Sequence, residues 1–302
     1  SSGEMNVKPL ISHRFDVQDA QSAYDKLNDS SCLGIILGYN QNCAESNLKE
    51  SVQIDTANPV KTKNGNIAFI GAGNYASRIL IPAFRKAGAN LTALISSGGI
   101  SAVHHGKKNG FSSASTDIAE ALDTNTEAVV IATQHNLHAG QTITALERGK
   151  HVFVEKPLAL SNDEIDIIEA KQIASNTIVM VGYNRRFAPQ VQKIKTLLDK
   201  KPGPKTFIMT MNAGDIPADH WTQDPALGGG RIIGEACHYI DLMRFLAGCK
   251  INSFNAVKMG DNDYVEFTED KAIITLTFED GSMGSIHYFA NGGKSFPKER
   301  IE

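Results

Sequence analysis

Residues 67–76 read I-A-F-I-G-A-G-N-Y-A, an apolar run that breaks into Gly71, Gly73 and Ala76, with Asn74 and Tyr75 between them. A first glycine permits a tight strand-to-helix turn. A second lets backbone N–H groups approach a pyrophosphate at a helix N-terminus, and a small third residue keeps the helix close to its strand. Further along, Glu155-Lys156-Pro157 follows another short apolar run, His151 to Val154. A lysine directly after a buried strand lies at the carboxyl edge of its sheet, where open α/β sheets bind ligands. Glycine turn and edge lysine together imply nicotinamide-dependent redox chemistry. Glu155 is a candidate to orient Lys156, and Pro157 to fix the turn, with a cis bond as an option.

These residues need a parallel sheet to position them. From residue 66 the pattern alternates: strand 67–70, helix 75–87, strand 91–96, helices 101–109 and 117–122, strand 128–132, helix 138–148, strand 151–154, helix 162–175 and strand 177–182. That order predicts an α/β Rossmann domain. Beyond 185 a helix over 189–200, a strand over 206–212, a helix over 236–246 and several strands between 251 and 290 predict an α+β domain with a mostly antiparallel sheet. The expected domains are therefore 61–184 for dinucleotide binding and 185–302 for substrate binding and self-association. The first sixty residues do not open a Rossmann unit. They hold a helical pattern over 15–26 and a strand-like 34–38, and then a polar stretch, 40–66, that reads as a linker.

Thr133-Gln134-His135-Asn136 falls at the carboxyl end of the 128–132 strand, so Thr133 and Asn136 are candidates for the nicotinamide ribose side. His135 and His138 are read as structural or surface groups. The 91–96 strand ends in Ser96-Ser97-Gly98-Gly99, without the acid that grips a ribose 2′-OH and without an adjacent arginine. Ser96 can hydrogen-bond a 2′-phosphate, and NAD and NADP both remain open. No histidine or carboxylate spacing argues for a metal.

The chain has 302 residues, of which 41% are hydrophobic and 21% charged, enough for two cored domains and inconsistent with overall disorder. A net charge of -3 without basic blocks argues against a nucleic-acid or membrane surface and for a small-molecule substrate. The four cysteines, Cys32, Cys43, Cys237 and Cys249, form no C-x-x-C pair, which fits a reducing, cytoplasmic setting. No apolar stretch is long enough to span a membrane.

Four motifs occur in one order: the G-A-G-N-Y-A turn, Glu155-Lys156-Pro157, Gly182 to Phe187, and Gly228-Gly229-Gly230 followed by His238-Tyr239-Ile240-Asp241. In this the chain resembles the glucose-fructose oxidoreductase / inositol dehydrogenase (Gfo/Idh/MocA) family from about residue 66 onward. The resemblance implies that Lys156 lies beside the nicotinamide and the reacting hydroxyl, and that His238 takes the hydroxyl proton as hydride leaves. Many members carry an aspartate four residues before that histidine. Here the position is Gly234, and Glu235 is the residue expected to bind substrate hydroxyls in its place. Asp241 either fixes the tautomer of His238 or faces solvent; Arg185 and Arg186 are candidates for an anionic substrate, or simply surface arginines. Family members usually continue past the position of Glu302, so a shortened C-terminal end is expected.

Val7 to Phe15, Asp19 to Tyr24 and Leu33 to Leu37 are similar to the closing segment of zinc-type medium-chain alcohol dehydrogenases, implying a piece of a fused pair of oxidoreductases. His13 is structural in this reading. The expected function is an NAD(P)-dependent oxidoreductase acting on a CH–OH carbon of a sugar or sugar derivative. Its rivals are a dinucleotide-binding sensor without turnover and a shortened, inactive chain. An open sheet face in the second domain suits a homodimer or larger homo-oligomer.

Overall fold

A computed structural model describes residues 6–39, 50–54, 65–123, 125–261, 263–264, 268–293 and 295–302. The 40–49 part of the expected linker, with Cys43, and its 55–64 part lie outside the described residues. Two compact units are distinguished, Ser1–Lys49 and Glu50–Glu302. In the first, β1 (His13–Asp16), α1 (Ala20–Asp25) and β2 (Ile35–Gly38) form a small strand-helix-strand unit with β1 and β2 parallel.

The second unit opens with β3 (Ser51–Gln53), which lies within the stretch expected as a linker. It continues through β4 (Asn66–Ile70), α2 (Ile81–Lys86), β5 (Asn90–Ile95), α3 (Ile100–Asn109), β6 (Ser113–Ser115), β7 (Ala128–Ile131), α4 (His135–Glu147), β8 (His151–Val154), α5 (Asn162–Ser175) and β9 (Val179–Val181). The strands make a seven-stranded sheet in the order β3-β6-β5-β4-β7-β8-β9, parallel except where the edge strand β3 runs against β6. β6 is Ser-Ala-Ser and carries no apolar run, which is why its sequence does not announce a strand. Ala68, Phe69 and Ile70 in β4 are all buried, as a central strand covered on both faces requires.

The strand ends are level. Ile70 is in register with Ile131, Ile131 with Val154, and Val154 with Val181. The next backbone N–H continues each ladder: Ala132 to Ile70 O at 2.8 Å, Glu155 to Ile131 O at 2.9 Å and Gly182 to Val154 O at 2.8 Å. Gly71, Ala132, Glu155 and Gly182 are thereby set side by side at the carboxyl edge. Between β8 and β9, α5 is started by a reciprocal cap, in which Ser161 Oγ accepts from Glu164 N and Glu164 Oε2 accepts from Ser161 N.

The remainder comprises α6 (Pro189–Leu198), β10 (Thr206–Asn212), α7 (Cys237–Ala247), β11 (Ile251–Lys258), β12 (Lys271–Phe278), β13 (Met283–Phe289) and β14 (Glu299–Ile301). The sheet order is β11-β12-β13-β10-β14, antiparallel except for the β10–β13 pair. Tyr239, Leu242, Met243 and Leu246 form the buried stripe of α7 and pack with Met209, Met211, Ile286 and Tyr288 of the sheet. On the opposite sheet face, Ile208, Ile273 and Met283 are exposed.

Gly71 has φ +111°, and a Cβ there would lie 2.3 Å from Ala132 O, so the tight turn is enforced from two directions. Gly71→Ala is therefore expected to lower unfolding stability by about 2 kcal/mol or more. Chemical denaturation checks this, and a variant as stable as the parent would contradict the geometry.

Candidate functional site

A cleft of about 630 Å³ opens at the carboxyl edge of the parallel sheet, lined by residues of the glycine turn (Gly73 to Ala76), the β7 and β8 ends, and the segments around Trp221, Glu235, His238 and Lys298. At Gly73 a Cβ would meet nothing within 4 Å. The glycine turn thus leaves open room beside backbone, which is what a pyrophosphate needs to approach, and the residues fit a dinucleotide. The chain after Tyr75 enters a π-helical turn, Ala76–Leu80, before α2. Tyr75 faces the cleft, its hydroxyl accepting from Asn184 Nδ2 at 3.0 Å.

Lys156 follows β8, and the Lys156–Pro157 peptide bond is cis. Its Nζ donates to Gly234 O at 2.6 Å, so the ammonium is oriented by a carbonyl on the far wall of the cleft. Among the described residues Nζ makes no hydrogen bond to Glu155, the partner expected from sequence; the Glu155 carboxyl accepts from the Lys156 backbone N–H. The Glu155 carboxyl instead occupies the space that Gly182 leaves free, since a Cβ on Gly182 would lie 2.7 Å from Glu155 Oε1. Burial raises the pKa of Glu155, and the neighbouring Lys156 charge works against that rise.

His238 sits on the first turn of α7 and is 8% exposed. Burial depresses its pKa to about 3, assisted by the Lys156 and Arg185 charges and opposed by Glu235. Its Nδ1 is buried with no hydrogen-bond partner among the described residues. Asp241 does not supply one: its carboxylate is bound by the Arg186 guanidinium, with Nε 3.0 Å from Oδ2. That pairing also removes Arg186 as an anion receptor. Arg185 likewise pairs with Glu299 and stacks over the Tyr239 ring at 4.7 Å.

Glu235 lines the same cleft. Its Oε2 accepts from Tyr288 OH and from Arg231 Nη2 at 3.1 Å, while Lys298 Nζ stands 4.0 Å from Oε1. Burial pushes its pKa up, but the hydrogen bonds from Tyr288 and Arg231 outweigh this and hold it below the usual carboxylate value. Behind it Arg231, Asp270, Lys271 and Gln223 form a buried polar layer, with Lys271 Nζ 2.6 Å from Asp270 Oδ1 and Gln223 Nε2 3.1 Å from Asp270 Oδ2.

Thr133 lines the cleft and donates its hydroxyl to Gln141 Oε1 at 2.8 Å. Asn136 and Ser96 are not among the lining residues. The Asn136 backbone N–H is tied to Leu227 O at 3.1 Å, and the Ser96 hydroxyl lies 2.9 Å from Ser101 Oγ. His138, 1% exposed, lies with Nδ1 2.7 Å from Pro157 O and Nε2 3.2 Å from Thr133 O, packed between the turns after β7 and β8; burial lowers its pKa, and the neutral ring has one N–H to donate to one of these carbonyls. His135, Trp221, Asn184 and Lys298 complete the walls. His135 stands where the sequence suggested only a structural or surface group, and Lys298 had no local signal at all.

His135 and His238 are both held neutral, at pKa values of about 4 and about 3. Folded values below the unfolded value of about 6.5 mean that the unfolded chain binds more protons. Their contribution to stability is therefore complete above about pH 6.5 and is lost as pH falls toward the folded values. The melting midpoint is expected to fall over this acid range, and to fall less steeply in His238→Gln. Parallel curves for the two proteins would contradict it.

Two family models match this chain. Residues 65–183 match one described as an oxidoreductase family with an NAD-binding Rossmann fold, and 191–301 match the GFO/IDH/MocA C-terminal domain. The scyllo-inositol 2-dehydrogenase (NAD(+)) of Bacillus subtilis is 31% identical over 179 residues, covering 57% of this chain and 51% of that protein. The 4-carboxy-2-hydroxymuconate-6-semialdehyde dehydrogenase of Sphingobium sp. is 31% identical over 250 residues, covering 75% and 77%. The chain spans about half the length of several curated relatives it matches. Among solved structures, levoglucosan dehydrogenase in complex with NADH superposes with a TM-score of 0.70 at 25% identity, covering 80% of this chain and 70% of that one.

Proposed function

The chain belongs to the Gfo/Idh/MocA oxidoreductase family, and from that premise we propose that its cleft binds a nicotinamide dinucleotide and transfers hydride at a CH–OH carbon of a sugar or sugar derivative. The observation that carries this reading is the pairing of Lys156 Nζ with Gly234 O at 2.6 Å, with His238 on the same wall. It places a fixed cation and a neutral imidazole around one space at the carboxyl edge of the sheet.

When bound, the nicotinamide supplies the hydride acceptor or donor. Gly71, Gly73, Asn74, Tyr75 and Ala76 hold the dinucleotide, with Thr133 beside its ribose, and we keep Asn136, Ser96 and Glu155 as outer contacts of the same ligand. Lys156 stabilises negative charge developing on the reacting oxygen, in a site where burial strengthens that attraction. His238 accepts the hydroxyl proton as the carbon loses hydride, and returns it in the reverse direction. It is unprotonated, the form that a base requires; burial makes it a weaker base, and the Glu235 charge works against that by offsetting the positive charge it gains. Glu235 Oε1, the oxygen not occupied by Tyr288 and Arg231, accepts a second substrate hydroxyl.

Relatives named for action on inositols and on 1,5-anhydro-D-fructose support a polyol or sugar as substrate. We assign residues 61–184 to the cofactor and 185–302 to substrate and self-association, the latter through the exposed face bearing Ile208, Ile273 and Met283. For residues 1–60 we retain the similarity to the end of a zinc-type alcohol dehydrogenase; the β1-α1-β2 order supports that reading. Cys32, Cys237 and Cys249 are free thiols, in keeping with a cytoplasmic setting.

Lys156→Ala is expected to leave dinucleotide affinity within about tenfold while removing turnover, and unchanged turnover would refute its role. Gly73→Asp places its side chain in open space, so the variant is expected to fold as the parent does and to lose NADH and NADPH binding in calorimetric titration. Retained binding would detach the dinucleotide from the glycine turn.

A further inference from the structure

Gly234 and His135 share one volume. A Cβ on Gly234 would lie 3.0 Å from His135 Cε1 and 3.4 Å from its Nδ1, so the imidazole fills the space that the glycine leaves. The ring is held firmly. Nδ1 lies 2.8 Å from Gly228 O, the ring meets Trp221 edge-on at 4.8 Å, and the backbone is anchored on the first turn of α4.

A carbonyl oxygen only accepts, so Nδ1 must carry the hydrogen. A neutral imidazole has a single N–H, and Nε2 therefore presents a lone pair. Burial, with the Lys156 charge adding to it and the Gly228 bond opposing it, keeps the ring neutral. Nε2 makes no hydrogen bond among the described residues, and it is not among the buried unpartnered atoms, so it retains access to the cleft that His135 lines. Lys156, Lys298, Asn184 Nδ2 and the Trp221 N–H are donors. A hydroxyl bound only by donors leaves its own hydrogen without a partner, and beside the base His238 the cleft offers it the Glu155 and Glu235 carboxyl groups and His135.

We propose that His135 is a specificity-determining residue of the substrate site, its Nε2 accepting a hydrogen bond from a substrate hydroxyl other than the one oxidised. The inference rests on the hydride-transfer reading and deepens it: the substrate carries several hydroxyls, and Gly234 is the residue that makes room for the group reading one of them. The tautomer of His135 is fixed by a main-chain carbonyl, so the acceptor is preset before substrate arrives.

Two substitutions separate the ring's roles. His135→Asn keeps a donor near the Nδ1 position and deletes the acceptor, whereas His135→Gln carries an amide near the Nε2 position. Binding of myo-inositol, D-glucose and the monodeoxy derivatives of D-glucose would be measured by calorimetry on the NADH-saturated chain. We expect His135→Asn to weaken polyol binding about tenfold, with NADH affinity unchanged within about twofold and partial recovery in His135→Gln. One monodeoxy derivative should bind the parent as weakly as the variant and lose nothing further on substitution. Unchanged polyol affinity in His135→Asn, or an equal loss against every derivative, overturns the proposal. So does a parent chain that binds NADH but none of these polyols, which leaves the dinucleotide reading standing. Failure to bind NADH overturns that reading itself. Should the variants not fold, the His135 Nε2 nitrogen resonance of the parent chain is expected to shift on polyol addition, and an unmoved resonance overturns the proposal.

Discussion

The bond from Lys156 Nζ to Gly234 O is the constraint around which the site is built. It ties the end of β8 to the π-helical turn Ile232–Ala236 that leads into α7, and so connects the parallel sheet with the helix that carries His238. A hydrogen bond from a charged donor contributes about 1.5–3 kcal/mol. A lysine side chain has several rotatable bonds, and without such a partner its ammonium would sample much of the cleft. Register holds the other end. Because β4, β7, β8 and β9 finish level, the glycine turn, Thr133 and Lys156 emerge at one height, and the buried His138 ring packs between the Thr133 and Pro157 carbonyls. The groups to which we assign hydride transfer thus sit on rigid elements.

Electrostatics then divides the labour. Lys156 and Lys298 bring cationic side chains, His135 and His238 are held neutral, and Glu235 is held ionised, all lining the same partly enclosed space. The imidazoles stay neutral chiefly through burial, and Lys156 reinforces that because a second positive charge nearby would be repelled. Glu235 stays ionised because Tyr288 and Arg231 hydrogen-bond it against the cost of burial. Arg231 is itself buried and shares Asp270 with Lys271, so the charge set behind Glu235 is connected rather than isolated. Leaving one member of such a set without its counter-charge is far more costly than the pairing is favourable. The carboxylate facing the cleft is therefore held in place by a layer that never touches the cleft.

Much of this could be read from the residues alone, for identifiable reasons. Gly71 was legible because its backbone geometry and the nearby Ala132 carbonyl tolerate no side chain, and Lys156 because it follows a buried strand directly. The order of strands and helices carried the fold class in the same way. Other features depend on long-range contacts that local patterning does not encode. Arg186 takes Asp241 away from His238, and Gly234 O rather than Glu155 holds Lys156. His135 belongs to the site only because Gly234 leaves it room. The strand Ser51–Gln53 pairs with Ser113–Ser115, and the latter with β5, without any apolar run to mark either. Asn136 had the right sequence position but is tied through its backbone to Leu227 O.

Trp221 offers a direct reading of the central claim, that a nicotinamide occupies this cleft, because it is the single tryptophan of the sequence and lines the cleft wall. Indole emission overlaps the absorption band of reduced nicotinamide. Titration of the unmodified chain with NADH and NADPH, followed by tryptophan fluorescence, should show saturable quenching matched by sensitised nicotinamide emission for at least one of the two. Tryptophan fluorescence that neither cofactor changes, in a chain shown to be folded by its circular dichroism, would contradict the account at its base.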